Sequence, residues 1–210
     1  MEIQTAPAEP LALQPEPMAP HMTPDERGLF NRYARRSISV IEFGSGGSTL
    51  EYFRRPQIER VITVESDPLW LAKLGEQPVL KEAKEAGRWV PVQVDIGATK
   101  DWGWPADYEA SRARFPNYHA PVWHDHPGLY DLVLVDGRFR VACALQALPF
   151  IKPRGVLIIH DFFSRPKYLP VLKFFDVVAR ADDMVVLKPK AELRMRQYVT
   201  ALNRFYFDPA

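Results

Sequence analysis

Between Val40 and Thr49 the chain reads V-I-E-F-G-S-G-G-S-T: an apolar run, an acid, a glycine-rich turn and two hydroxyl residues. A strand-to-helix turn without side chains lets backbone N–H groups approach a ligand closely, and the helix that follows offers its positive end to anionic groups. A second apolar run, Val61 to Val64, ends in Glu65, about 20 residues beyond Gly44, where an acid suits the hydroxyls of a ribose. Three further groups stand at the ends of apolar runs: Asp136 after Tyr130–Val135, and His160 with Asp161 after Gly155–Ile159. Carboxylates there can hold or accept protons, and an imidazole with an ordinary pKa near ~6.5 suits a base acting on an acceptor hydroxyl.

Several nucleotide-binding folds share the first turn and the first acid. A nicotinamide fingerprint ends in Gly or Ala, whereas Gly44-x-Gly46-x-x is followed by Thr49, which crowds the close helix-to-strand contact. The pattern E-x-G-x-G-x-S from Glu42 to Ser48 resembles motif I of the class I S-adenosylmethionine (SAM) dependent methyltransferases, and the resemblance extends over about the whole chain after residue 36. It implies SAM as cofactor, with Glu42, Phe43, Gly44, Ser45, Gly46 and Thr49 around the methionine end and Glu65 with Ser66 at the ribose. It also implies an adenine site at the end of the third strand, where Asp95 accepts from the exocyclic amine and Ile96 packs on the ring, and places Asp136 beside the transferred methyl group.

The resemblance makes Asp136, His160 and Asp161 the candidate catalytic residues. Asp136-Gly137-Arg138-Phe139 stands where amino-group methylases of bases and glutamine carry Asn-Pro-Pro-Tyr or Asp-Pro-Pro-Tyr. The expected reaction is therefore methyl transfer to an oxygen of a small-molecule or sugar acceptor. Metal-dependent O-methyltransferases place an acid after the fourth strand and an acidic pair or Asp-Asn after the fifth. Asp136 and Asp161 match the first two positions, but Phe162 occupies the third, so no metal is expected. In that reading Asp136 orients the SAM ammonium or an acceptor group and Asp161 caps the next helix. His124-Asp125-His126 lacks a third ligand in a recognisable frame and reads as a solvated polar loop. Two alternatives remain open: a nicotinamide-dependent oxidoreductase, and a non-catalytic SAM- or nucleotide-binding protein of the same fold.

The elements that must position these residues alternate along the chain. Thr23-Pro24-Asp25-Glu26 carries a helix start with a capping box, and the helix runs to about Arg36. Strand Ile38–Phe43 leads to a helix from Ser48 to about Arg55, and strand Val61–Glu65 leads to a helix capped by Asp67 with Pro68 next. Trp89–Asp95, Tyr130–Val135, Gly155–Ile159 and Met184–Leu187 complete the strands, with a last helix near Glu192–Phe205. Alternation of this kind implies a three-layer αβα sandwich with a Rossmann-like, mostly parallel sheet of order 3-2-1-4-5 plus a C-terminal strand. Pro91 cannot donate a ladder bond, which puts the third strand at an edge. No seventh strand is evident.

Between the third and fourth strands, Asp101–Gly128 is too long for a plain connection and carries Trp102, Trp104, Tyr108, Phe115, Tyr118 and Trp123. These rings can plug the core or line an acceptor pocket, since ligands of open α/β sheets bind beyond the carboxyl ends of the strands. Residues 1–22 hold five prolines among Ala, Glu and Gln and read as a disordered tail before a single domain, 23–210. The tail lacks the basic start and apolar core of a secretory signal.

At 210 residues, 47% hydrophobic, the chain can bury one sizeable core. A net charge of +1 gives no global reason to expect a nucleic-acid or anionic-membrane partner, and Lys188, Lys190, Arg194, Arg196 and Arg204 read as a solvated face. The single Cys143 excludes an intrachain disulfide, and no apolar run approaches the ~20 residues of a membrane span, so a cytoplasmic protein is expected.

Overall fold

The structure, a computed structural model, describes residues 18–210. The expected tail lies outside the described residues up to residue 17. Its last five residues, 18–22, are described, and they run across the glycine turn. Pro24–Ala34 (α1) starts as its sequence dictates: Glu26 N donates to Thr23 Oγ1 at 3.2 Å and Thr23 N donates to Glu26 Oε2 at 2.9 Å.

Ser39–Phe43 (β1), Gly47–Phe53 (α2), Arg60–Glu65 (β2), Pro68–Gly75 (α3), Pro78–Glu85 (α4) and Trp89–Gln93 (β3) form the first half. A small antiparallel hairpin, Thr99–Lys100 (β4) and Trp104–Pro105 (β5), opens the insertion, which continues through Tyr108–Ser111 (α5) and Val122–Asp125 (α6). Tyr130–Val135 (β6), Arg140–Ala147 (α7), Ile151–Ile159 (β7), Phe175–Ala181 (β8), Met184–Pro189 (β9) and Met195–Phe205 (α8) complete the chain. The main sheet has the order β3-β2-β1-β6-β7-β9-β8, with β3 through β7 parallel and β9 and β8 antiparallel. As Pro91 requires, β3 is an edge.

Alternation along the central strands splits the core between two faces. Ile41, Phe43, Ile62, Val64, Val133 and Val135 pack towards α7 and the insertion. Val40, Val61, Leu132, Leu134, Val156 and Ile158 pack towards α1, α2 and α4. Each such side chain contributes about 1.5–3 kcal/mol relative to exposure.

The seventh strand, β8, corrects the sequence expectation. Val177 and Val178 are both exposed, and a register irregularity between Val177 and Ala179 breaks the period-2 pattern that a reader searches for. The fifth parallel strand also starts earlier than expected, at Ile151, because Lys152, Pro153 and Arg154 hide its beginning. No helix among the described residues is long and apolar enough to cross a membrane.

The aromatic insertion divides between the two roles open to it. Phe115, Tyr118 and Trp123 are buried in the core, whereas Trp102 is 79% exposed with a left-handed φ of 61° and stands with Trp104 in the cleft wall.

Candidate functional site

The carboxyl ends of β1, β2, β6 and β7 open into a cleft of about 1280 Å³. Of the residues singled out by sequence, Gly44, Ser45, Gly46, Glu65, Ser66, Asp136, His160 and Asp161 line it. Glu42, Phe43, Thr49, Asp95 and Ile96 do not, and each has an identifiable place behind the wall or beside it.

The glycine turn is set by close backbone approach. Gly44 has φ 87° and donates to Val64 O at 2.9 Å, and a Cβ there would meet Gly137 Cα and N at 2.6 Å. Only glycine satisfies both conditions. Gly46 faces open space, while Gly47 lies directly beneath Ala19 and Pro20. Residues 18–22 thus roof the turn, with Met18 and Met22 packed on the core beside α1 and α2.

Glu42 braces the turn from below. It is fully buried and accepts from Ser48 Oγ at 2.5 Å, Thr49 Oγ1 at 2.6 Å and Thr63 Oγ1 at 3.3 Å. Burial dominates its titration, pushing the pKa up to about 8 against the hydroxyl hydrogen bonds, so the group is mainly protonated at neutral pH. Phe43 sits in the core. Thr49 is buried beside Glu42 and also accepts from Gly46 N at 3.1 Å.

Glu65 has all its lone pairs engaged. Oε2 accepts from Ser45 N (3.0 Å) and Oγ (2.8 Å), and Oε1 accepts from Ser66 N (2.7 Å) and Asp67 N (3.0 Å). Asp67 then caps α3 through Leu69 N and Trp70 N, as its position before Pro68 implies. Trp70, which the sequence reading passed over, donates its indole N–H to Ser45 O at 2.9 Å. Asp95 lies at the surface, pairs with Arg114 at 3.2 Å and accepts from Gly97 N at 2.8 Å, while Ile96 is buried in the core.

The opposite wall is an ionic network. His160 is 6% exposed; its Nδ1 lies 3.0 Å from Asp136 Oδ1 and 3.7 Å from Asp161 Oδ1, and its Nε2 lies 3.3 Å from Glu26 Oε2. Burial alone would lower its pKa, but the hydrogen bond and charge of Asp136, with the charges of Asp161 and Glu26, raise it to about 9. The imidazole is therefore charged at neutral pH, with both nitrogens facing carboxylates. Asp136 shows the matching change: burial works to raise its pKa, and the His160 hydrogen bond with the charges of Arg140, His160 and Arg138 brings it below the ordinary value.

Arg140 ties the strand ends together. Nε donates to Gly137 O at 2.9 Å and Nη2 to Asp136 O at 3.0 Å; Nη1 donates to His160 O and pairs with Asp161 Oδ2 at 3.3 Å. Arg165 holds Asp161 Oδ2 at 2.8 Å. Asp161 has a left-handed φ of 49° and turns back into this network, with no helix cap among its hydrogen bonds. Ligand-type atoms of Asp136, His160 and Asp161 lie within 4.8 Å of one another. A protonated imidazole has no lone pair to give a metal, the two carboxylates already face guanidinium groups, and Phe162 is fully buried without a donor. His124, Asp125 and His126 do not converge on a ligand set: His124 pairs with Asp125 and His126 faces Arg60.

Sequence reasoning missed Arg138, Arg140, Trp70, Arg165 and Tyr168 in the lining, and Glu26 beneath it. The run Asp136-Gly-Arg-Phe-Arg was a usable signal, since basic residues directly after a strand-end acid fall at the same rim. Nothing local links Glu26 to His160.

The structure can be compared with known proteins. Neither a protein-family model nor a curated protein matches the chain. Among solved structures it is similar to a methyltransferase-like protein from Silicibacter pomeroyi DSS-3, with 28% identity over 90% of this chain and 97% of that one and a TM-score of 0.74. It also resembles the S-adenosylhomocysteine (SAH) bound methyltransferase PaMTH1 of Podospora anserina (16% identity, 80% of each chain, TM-score 0.50). A third match is the fibrillarin pre-rRNA processing protein of Methanococcus jannaschii (16% identity, 76% of this chain and 69% of that one, TM-score 0.50). Five parallel strands closed by an antiparallel pair, with helices on both faces, is the class I methyltransferase arrangement. The fold is that of the class I SAM-dependent methyltransferases, and the motifs of this chain stand in the order of that fold.

Proposed function

We propose that the chain transfers a methyl group from SAM to an oxygen of a small-molecule or sugar acceptor. The supporting observation is that the glycine turn, Glu65 and Asp136 open into one cleft whose volume suits a donor and an acceptor side by side. The residues present fit the cofactor: Gly46 leaves open space over the turn, and the Glu65 carboxylate stands beside Ser45 where ribose hydroxyls would displace the serine hydroxyl. Gly44, Ser45, Gly46, Glu65 and Ser66 would hold it directly, with Glu42, Phe43 and Thr49 supporting the turn from behind. Asp95 reaches an adenine amine only when its pair with Arg114 opens, and Ile96 backs that wall.

When bound, SAM supplies an electrophilic methyl group on a sulfonium. The chain's own work is alignment, to about 3–3.5 Å and in line, and removal of one proton from the acceptor hydroxyl. Asp136 and Asp161 are the carboxylates facing the cleft that take this proton as the new C–O bond forms. His160, already charged, positions Asp136. Residues 18–22 and the hairpin at 99–105 wall the cleft against water. The same reading treats 23–210 as one catalytic domain with 101–128 as its insertion.

Isothermal titration calorimetry tests the reading. SAM and SAH should bind one site with micromolar affinity, on the order of −8 kcal/mol, and NAD should not. Folded protein giving no heat with either ligand ends the reading, and preference for NAD replaces it with the oxidoreductase.

A further inference from the structure

Arg138 is 6% exposed, lines the cleft, and has no partner for Nε or Nη1 among the described residues. Its guanidinium lies 4.5 Å from the centre of the Trp104 ring, and Lys167 Nζ lies 5.7 Å from the same ring. The acids nearby are already committed: Asp136 and Asp161 face Arg140, Arg165 and His160, and Glu65 accepts four hydrogen bonds. A buried charge with unmade hydrogen bonds is costly, and a protein retains one where a ligand completes it. Burial, followed by repulsion from Arg140, lowers the pKa of Arg138, which registers the same missing counter-charge.

We propose that Arg138 recognises the anionic oxygens of the methyl acceptor, which therefore belongs to the class of small molecules carrying a carboxylate or phosphate. A planar guanidinium resting on an indole presents its edges to planar or tetrahedral oxyanions, and Lys167 adds a second cation on the same ring. Trp104 and Arg138 meet on the insertion wall, where Gly103 lies against the Arg138 stem, leaving the glycine turn to the donor. This inference rests on the methyltransferase reading, which assigns the other half of the cleft to SAM.

The test uses the full chain saturated with SAH and titrated with inorganic phosphate and with benzoate, followed by the fluorescence of the cleft tryptophans. Saturable binding of at least one anion is expected, weakened about tenfold or more by Arg138→Gln and retained in larger part by Arg138→Lys. SAH affinity should stay within about threefold. Arg138→Met should melt no lower than the parent protein without ligand, because it removes an unpaired buried charge; a purely structural arginine would show the reverse. Absence of anion binding in the SAH complex overturns the proposal. It is equally overturned if Arg138→Gln weakens SAH tenfold but leaves 5′-methylthioadenosine unchanged, since the donor's own carboxylate would then be the partner. Failure of the parent protein to bind SAH is a different result, against the methyltransferase reading; Arg138-dependent anion binding to the ligand-free protein would still support anion recognition.

Discussion

On the β1–β2 side of the cleft the carboxylates are held by neutral donors, and on the β6–β7 side by cations. Glu42 and Glu65 are satisfied by hydroxyls and backbone N–H groups, whereas Asp136 and Asp161 face His160, Arg140 and Arg165. Neutral donors can be exchanged for the hydroxyls of a ligand with little electrostatic change. A network of full charges fixes geometry and resists exchange, because parting buried ions leaves each uncompensated. On the proposed reading, the first wall takes up the nucleoside of the donor and the second holds the acceptor in one orientation.

The largest expected effect tests the exchangeable wall. Glu65→Ala removes the anchor of Ser45, Ser66 and Asp67 and, on the proposed reading, both contacts to the ribose. At ~1.5–3 kcal/mol for each hydrogen bond to a charged group, SAH affinity should fall on the order of a hundredfold in calorimetry. Unchanged affinity in a folded Glu65→Ala protein would contradict the assignment.

The charged wall should reveal itself in alkali. His160 titrates at about 9 in the folded protein and near ~6.5 when unfolded, so its stabilisation is complete below the lower value and is lost as pH rises through the upper one. Between pH 7 and 10 this amounts to about 2–3 kcal/mol. Glu42, raised to about 8, loses stability in the same direction as it is forced to ionise. Urea melts across this range should show His160→Gln removing the later part of the decline and Glu42→Gln the earlier part. A flat profile in the parent protein would dissolve the contrast between the walls. Asp136, whose pKa is lowered, acts at the other end: its contribution is present above its unfolded value and is lost on acidification.

A smaller effect comes from the seam between the walls. Gly137 faces Gly44, and a Cβ on it would strike the Tyr118 hydroxyl. Gly137→Ala should destabilise by about 1–3 kcal/mol, lowering the melting temperature by ~2–4 °C for each kcal/mol. A variant as stable as its parent would show that the seam can widen.

Legibility from sequence follows the same division. Ser48 and Thr49 reach Glu42 across six and seven residues, and Ser45 reaches Glu65 across 20, so a strand–turn–helix pattern contains the whole first wall. His160 meets Glu26 across 134 residues, and Asp183 meets Glu26 across 157, distances over which pattern carries no signal. Glu26 was readable only as half of a capping box; its other task appears when α1 docks on the strand ends. The parallel strands were legible because burial on both faces makes them continuously apolar. The edge strand β8 was not, because half-exposure and an irregular register erase its alternation.

The smallest expected effect is that of a chelator. Three ligand-type atoms within 4.8 Å would ordinarily suggest a divalent site. Here one of them belongs to an imidazole with its pKa near 9, and a metal would have to displace that proton as well as the guanidinium groups of Arg140 and Arg165. Replacing three well-placed cationic partners by one ion inside a buried network gains little, and Phe162 offers no further donor at the position where the metal-dependent O-methyltransferase pattern has one. EDTA should therefore change SAH affinity and any methyl transfer by less than about twofold, while Asp136→Asn should reduce turnover more than SAH affinity. Activity abolished by EDTA and restored by Mg²⁺ would mean that the cations leave the network when the acceptor binds, making the second wall as exchangeable as the first.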